Sequence, residues 1–416
     1  MSSEQTNTSS TEGVKLAGAT SSTADEQSGK SSVGRKVAAG AILLAGVGYV
    51  LTLFVMGLSD RNAAERDFIS YWAAGSLAVQ GGNPYDPEAV RQLEVNAGRD
   101  RNAMVLVMRN PPVALPLVAP LGLVSPKVAL IAWLILLIGS FGASIWLVWL
   151  MHGKPGSSYH LIAIGFAPAL ACLMAGQFGM FLLLGVVLFL YSEQRRPMLA
   201  GAALLLCTFK PHLFVPVGVV LALWIVTARK WRVAVGCVGA VTAALGIALA
   251  IDPQAVNQYL SFMRAGEAAS ERIPALSVAL RFAISPHSTW IQFVPLILAC
   301  AWAGWYFWTR REQWNWGDHG MIVLLVAAMC APYGFLTDEC MLLPALLAGV
   351  YTAVERKRSL VPIAFFAGAA LLELLAGVEM KTPYFMWTTP AWLVWYLYAT
   401  RGSIEAESRS ISAPAL

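Results

Sequence analysis

Apolar runs of about 15–25 residues, separated by short polar breaks, recur along most of the chain, and each is near the length a helix needs to cross a bilayer. The first covers residues 37–58. A polar stretch follows, with Asp60, Arg61, Glu65, Arg66 and Asp67, then the segment FISYWAAG and the turn Gly81-Gly82-Asn83-Pro84. On a helix, Asp67, Tyr71, Ala74 and Gly75 share one face. Phe68 and Trp72 lie beside that face, where they are expected to hold the helix at the lipid headgroups. Asp86-Pro87-Glu88 reads as an N-cap and a first-turn proline opening a second short surface helix. Pro111, Pro112, Pro116 and Pro120 argue against one straight span over residues 104–125, which reads instead as a re-entrant or broken segment.

Residues 127–150 make a clear span. Two apolar stretches follow, residues 158–192 and 198–228, each flanked by basic clusters. Like charge at both ends means that each stretch goes out and returns, yet thirty-odd residues at about 1.5 Å each cannot make two full crossings. Each is therefore expected to be a hairpin with short arms and a sunken tip, at Gly176-Gln177-Phe178-Gly179 and at Lys210-Pro211-His212. Further spans are expected at residues 233–251, 290–308, 320–336, 341–354, 360–377 and 384–398. The pattern predicts an all-α polytopic bundle of about twelve transmembrane helices, with short helices in the first external loop, residues 59–109.

Composition agrees with that class. The 416 residues are 57% hydrophobic and 13% charged, with mean hydropathy +0.61, too apolar for a soluble chain of this length. The net charge of +5 does not point to nucleic acid, because the basic residues sit in short clusters between apolar runs, where they set topology. Lys30, Arg35 and Lys36, Arg195-Arg196, Arg229-Lys230, Arg310-Arg311 and Arg356-Lys357-Arg358 all fall on one side if both termini are cytoplasmic. That arrangement sends Asp67, Gln177, Lys210, His212, Asp338 and Glu379 to the other, external side. Residues 1–32 read as a disordered cytoplasmic tail, 33–400 as the membrane domain and 401–416 as a short cytoplasmic tail. Cys172, Cys207, Cys237, Cys300 and Cys330 lie in apolar stretches and read as small buried hydrophobes rather than disulfide partners.

Two residues stand out chemically. Asp67 is either a base held just outside the bilayer or an ordinary cap of the helix that follows. Lys210, between two apolar arms, is suited to an anion such as a lipid phosphate, or snorkels to the headgroups. Arg109 is a second candidate phosphate partner. Asp338 and Glu339 either bind sugar hydroxyls or mark where a span meets water. Glu373 reads as a structural acid facing another helix, and His160, His287 and His319 as surface residues. No metal-ligand spacing, phosphate-binding loop or dinucleotide fingerprint is present.

The ordered set DFISYWAAG (67–75), Gly82-Asn83-Pro84-Tyr85-Asp86, the Pro-Pro…Ala-Pro-Leu segment (111–121), Gly176-Gln177, Phe209-Lys210-Pro211-His212 and Pro332…Asp338…Leu343-Pro344 resembles glycosyltransferase family 87 from about residue 37 to 400. The resemblance implies a GT-C-type membrane enzyme that moves a hexose, mannose in the α-1,2 members, from a polyprenyl-phosphate donor to a glycolipid or glycan acceptor at the external face of the cell membrane. It implies inverting single displacement with Asp67 as base and no cofactor or metal. Lys210, with Arg109 or His212 helping, would bind the donor phosphate, and Tyr71, Gln177 and Asp338 would meet sugar or acceptor hydroxyls. Where α-1,2-mannosyltransferase members are expected to carry a histidine in the late outer loop, this chain has Phe335-Leu336-Thr337-Asp338. The competing classes are a lipid-linked-sugar transporter or flippase, for which polar groups near the midplane are expected, and a non-catalytic scaffold.

Overall fold

A computed structural model describes residues 60–265, 273, 275–378 and 383–401. The first expected span, the two expected tails and Glu379 lie outside those residues, as do the side chains of Asp60 and Arg61. Among the described residues the regular elements are all helical, α or 3-10.

Four helical stretches are long and apolar enough to cross a membrane: Pro126–Met151, Trp231–Ile251, Thr289–Gln313 and Leu336–Glu355. Several others are apolar but shorter, so among the described residues the bundle is built of unequal helices, and four rather than about twelve have the length of a full span. Breaks at proline and glycine are the reason. The helix His319–Met329 stops ahead of Ala331-Pro332, well short of the span expected over 320–336, and the chain resumes as a 3-10 turn at Leu336–Leu342 before Leu343–Glu355.

The two hairpins have the short arms that their sequence implies. The arms of the first are Ala167–Ala175 and Gly179–Ser192, 9 and 14 residues. The second has Pro197–Ala203 and Val215–Thr227, 7 and 13 residues. At about 1.5 Å per residue even the longest arm is near 21 Å, against roughly 30 Å of hydrocarbon. Residues 104–125 form no straight span either: 3-10 turns at Pro112–Ala114 and Ala119–Leu123 flank the four-residue helix Leu115–Val118.

The helix Phe68–Val79 departs from expectation. Every residue from Phe68 to Ala78 is buried, so Phe68 and Trp72 do not face headgroups. Phe68 packs on Trp133, and the Trp72 indole donates to the Val124 carbonyl at 2.9 Å. A short helix buried on all sides has no polar stripe, and its aromatic residues then mimic an interfacial pattern. Glycine permits the close packing: a Cβ on Gly122 would lie 2.2 Å from the Ser76 nitrogen, and one on Gly75 2.2 Å from the Val118 carbonyl oxygen. We expect Gly122→Ala to push these segments apart at a cost of about 1–3 kcal/mol, read as a lower melting temperature of the purified protein in detergent. An unchanged melting temperature would mean the contact is slack.

The second surface helix forms as expected over Pro87–Asn96, with the Asp86 carboxylate accepting from the Glu88 N–H at 3.0 Å. His319 is buried rather than on the surface and shares a hydrogen bond with the Tyr306 hydroxyl at 3.0 Å. All six cysteines are free thiols. His152, Arg195, Asp318 and Glu355 line a separate polar cavity at the far ends of Pro126–Met151, Gly179–Ser192 and Leu343–Glu355. The two hairpin tips are at the opposite end of these helices.

Candidate active site

The near end of the bundle begins with Arg66. Its guanidinium donates to the carbonyls of Leu173 and Met174 at 3.2 and 2.9 Å, satisfying acceptors that the end of Ala167–Ala175 leaves open. That helix ends at Gly176 in the left-handed conformation (φ 70°), and a Cβ there would meet Phe68 Cβ at 2.7 Å, so glycine is required twice over. The Gly176 carbonyl accepts from the Trp133 indole at 2.7 Å. Gln177 is thereby fixed beside Asp67.

Asp67 precedes its helix but its side chain makes no cap hydrogen bond, which removes the ordinary capping explanation. Its Oδ2 accepts instead from Gln177 Nε2 at 2.8 Å. Gln177 Oε1 accepts from the Tyr71 hydroxyl at 2.7 Å and from Lys210 Nζ at 3.1 Å. The amide has one possible orientation: flipped, it would set an NH2 against an ammonium and an oxygen against a carboxylate. Lys210 also donates to Asp338 Oδ1 at 2.6 Å, and Asp338 Oδ2 accepts from the Phe335 N–H at 3.0 Å. An unbroken hydrogen-bonded chain therefore runs Asp67, Gln177, Lys210, Asp338, with Tyr71 attached to its second member.

Lys210 is presented by a break. Pro211 cannot continue a helix and restricts the residue before it, and the chain passes through two 3-10 turns, Leu206–Phe209 and Pro211–Leu213. The Phe209 carbonyl accepts from the Asn110 side chain at 2.8 Å, and the Asn110 carbonyl from the Tyr85 hydroxyl at 3.1 Å. Two motifs of the first loop thus brace the second hairpin tip.

Asp67, Tyr71, Gln177, Lys210 and Asp338 line one cavity of about 150 Å³, together with Arg109, Asn110, His212, Tyr259, Tyr333 and the non-helical residues 104–107. The space equals that of about five water molecules. Seven candidate residues read from the sequence border it: Asp67, Tyr71, Arg109, Gln177, Lys210, His212 and Asp338. Glu339 does not. Its carboxylate accepts from the Thr388 hydroxyl and from the Trp392 indole inside the bundle. His212 stacks on Tyr333 with ring centroids 3.9 Å apart. Burial pushes the Tyr333 hydroxyl up to about 12. Tyr259 and Tyr333 went unmarked in the sequence; each is an aromatic residue in a loop or surface helix, with no spacing to set it apart.

Among the described residues no group of three or more His, Cys, Asp or Glu side chains is placed to hold a metal ion. The profile of glycosyltransferase family 87 matches residues 109–354, more than half of the chain, and covers the Arg109, Gln177, Lys210, His212 and Asp338 positions; Asp67 and Tyr71 lie upstream of it. Comparison with curated proteins and with solved structures gives no match. With its apolar helices and a match of that extent, the chain belongs to glycosyltransferase family 87 and is a membrane glycosyltransferase.

Proposed function

We propose that the protein transfers a hexose from a polyprenyl-phosphate donor to a hydroxyl of a glycolipid or glycan acceptor, by one inverting displacement at the external face of the cell membrane. The observation that carries this reading is the hydrogen-bonded chain from Asp67 to Asp338 along the cavity wall. Asp67 accepts the acceptor's hydroxyl proton as that oxygen attacks the anomeric carbon. The bond from that carbon to the phosphate oxygen breaks, and its electron pair leaves with the lipid phosphate. Lys210 spends two of its three N–H donors on Gln177 and Asp338, leaving one for the departing phosphate. Arg109 supplies a second cation, and His212 a hydrogen bond. Gln177 and Tyr71, expected to bind sugar, have their polar atoms turned to each other and to Asp67, which favours a positioning role.

The donor's tail has a place to lie. An almost wholly apolar cavity of about 530 Å³ opens between Gly179–Ser192, Val215–Thr227 and His319–Met329, and it shares Pro211 with the polar cavity. A prenyl chain there sets its phosphate beside Lys210. A Cβ on Gly218, which lines that space, would meet nothing within 4 Å. We expect Gly218→Leu to fold normally and to raise the donor KM several-fold for a long prenyl chain, but not for a donor of one or two isoprene units; equal effects on both would take the tail out of this cavity. The basic clusters at the far helix ends support a cytoplasmic location for that end.

The reading is tested by incubating membranes that hold the protein with a panel of radiolabelled polyprenyl-phosphate hexoses. Label moving from the lipid to a glycan or glycolipid, with wild type and not with Asp67→Asn, is the expected result. Label crossing the bilayer still attached to its lipid would mark a flippase instead.

A further inference from the structure

We infer that Tyr259 and Tyr333 form a subsite for the acceptor, and that the acceptor presents a saccharide ring to it. This rests on the transferase reading and names the substrate class on the side of the cavity that the donor does not use.

The cavity divides by chemistry. Asp67, Tyr71, Gln177, Lys210 and Asp338 are bonded to one another, and Pro211 joins the wall beside Lys210 to the apolar cavity. Tyr259 and Tyr333 also border the cavity, and neither hydroxyl has a hydrogen-bond partner among the described residues. Both side chains are half-buried. Each is locked from behind. Tyr259, on the helix Ala255–Ala265, packs on the buried Tyr85 with ring centroids 5.3 Å apart, and Phe262 stacks on the same ring at 6.2 Å. Tyr333 is backed by His212.

Two rigid aromatic rings with unused hydroxyls suit a ligand that has an apolar C–H face and several hydroxyls at its edge, which describes a pyranose. A cationic acceptor would be repelled by Arg109 and Lys210, which border the same cavity. The carboxylates bordering the cavity are Asp67 and Asp338, and both belong to the bonded chain. A purely aliphatic alcohol would leave two phenols without partners in a desolvated site.

The test uses the full-length protein in detergent with a panel of alkyl pyranosides as acceptors. Tyr259→Ala is expected to raise the acceptor KM about tenfold with donor KM unchanged, and Tyr333→Phe, which keeps the ring against His212, to raise the acceptor KM several-fold. Tyr259→Phe keeps the ring packed on Tyr85 and is expected to give a smaller rise, which guards against misfolding as the cause. An unmoved acceptor KM, or a donor KM that rises in step, would overturn the assignment. Binding of an alkyl pyranoside, followed by quenching of intrinsic fluorescence, is measured alongside. If wild type transfers no sugar from any donor, the transferase reading fails; binding that is lost in the tyrosine variants would still support the subsite, and binding unaffected by them would end it.

Discussion

Replacing Asp67 by asparagine is expected to lower kcat for sugar transfer by about two to four orders of magnitude, the usual worth of a positioned general base. Asparagine keeps the shape of the side chain and an oxygen able to accept from Gln177 Nε2, so the 2.8 Å contact and the turn built on it survive. It cannot take a proton. Because the carboxylate makes no cap bond to its helix, no cap stability is lost and the protein is expected to elute and melt as wild type does. Donor KM is expected to stay within a factor of two or so, since in the proposed mechanism the group acts on the attacking hydroxyl and not on the lipid phosphate. Single-turnover kinetics with labelled donor check this directly. Full activity in the variant would remove Asp67 from the chemistry, and a collapse in thermal stability would make it a structural residue.

Lys210→Met is expected to lose both stability and turnover, and the two losses can be separated. Lys210 and Asp338 have side chains 11% and 4% exposed and approach to 2.6 Å, so removing the ammonium strands a buried carboxylate at a cost of about 3–5 kcal/mol. Adding Asp338→Leu removes the stranded charge and is expected to restore most of the melting temperature, because a buried ion pair replaced by apolar side chains is often near neutral. Turnover is not expected to return. The double variant lacks the cation that we propose meets the leaving phosphate, and Gln177 Oε1 loses one of its two donors. A double variant that is stable and fully active would reduce the pair to a packing device.

Much of this site was legible before any coordinates. Lys210 and Gln177 follow from counting: the hairpins are too short to cross twice, so their tips sink, and a charge at a sunken tip has to face a cavity or another charge. Asp338 needs the added inference that the late spans return to the same side. What one residue does to the next was not legible. Gln177 and Tyr71 read as sugar contacts, yet Gln177 is bonded to Asp67 and Lys210 and Tyr71 to Gln177, because side-chain pairing between distant segments leaves no trace in spacing. The burial of Phe68 and Trp72 was also hidden. It depends on Gly75 meeting Gly122 across the fold, whereas a local pattern records only that the segment is apolar. Tyr259 and Tyr333 were missed for a related reason: in a chain this rich in aromatic residues, one facing a cavity looks like one packed in the interior.

The short arms of the two hairpins have one more consequence. Lipids next to a protein adjust their thickness to the apolar height it offers. Beside the arms of 7 to 14 residues the leaflet is expected to draw inward, so that the headgroup plane dips towards the tips. The lipid-linked donor proposed above would reach the depth of the ammonium along that dimple with its hydrocarbon still submerged, and no step of pulling grease into water would be needed.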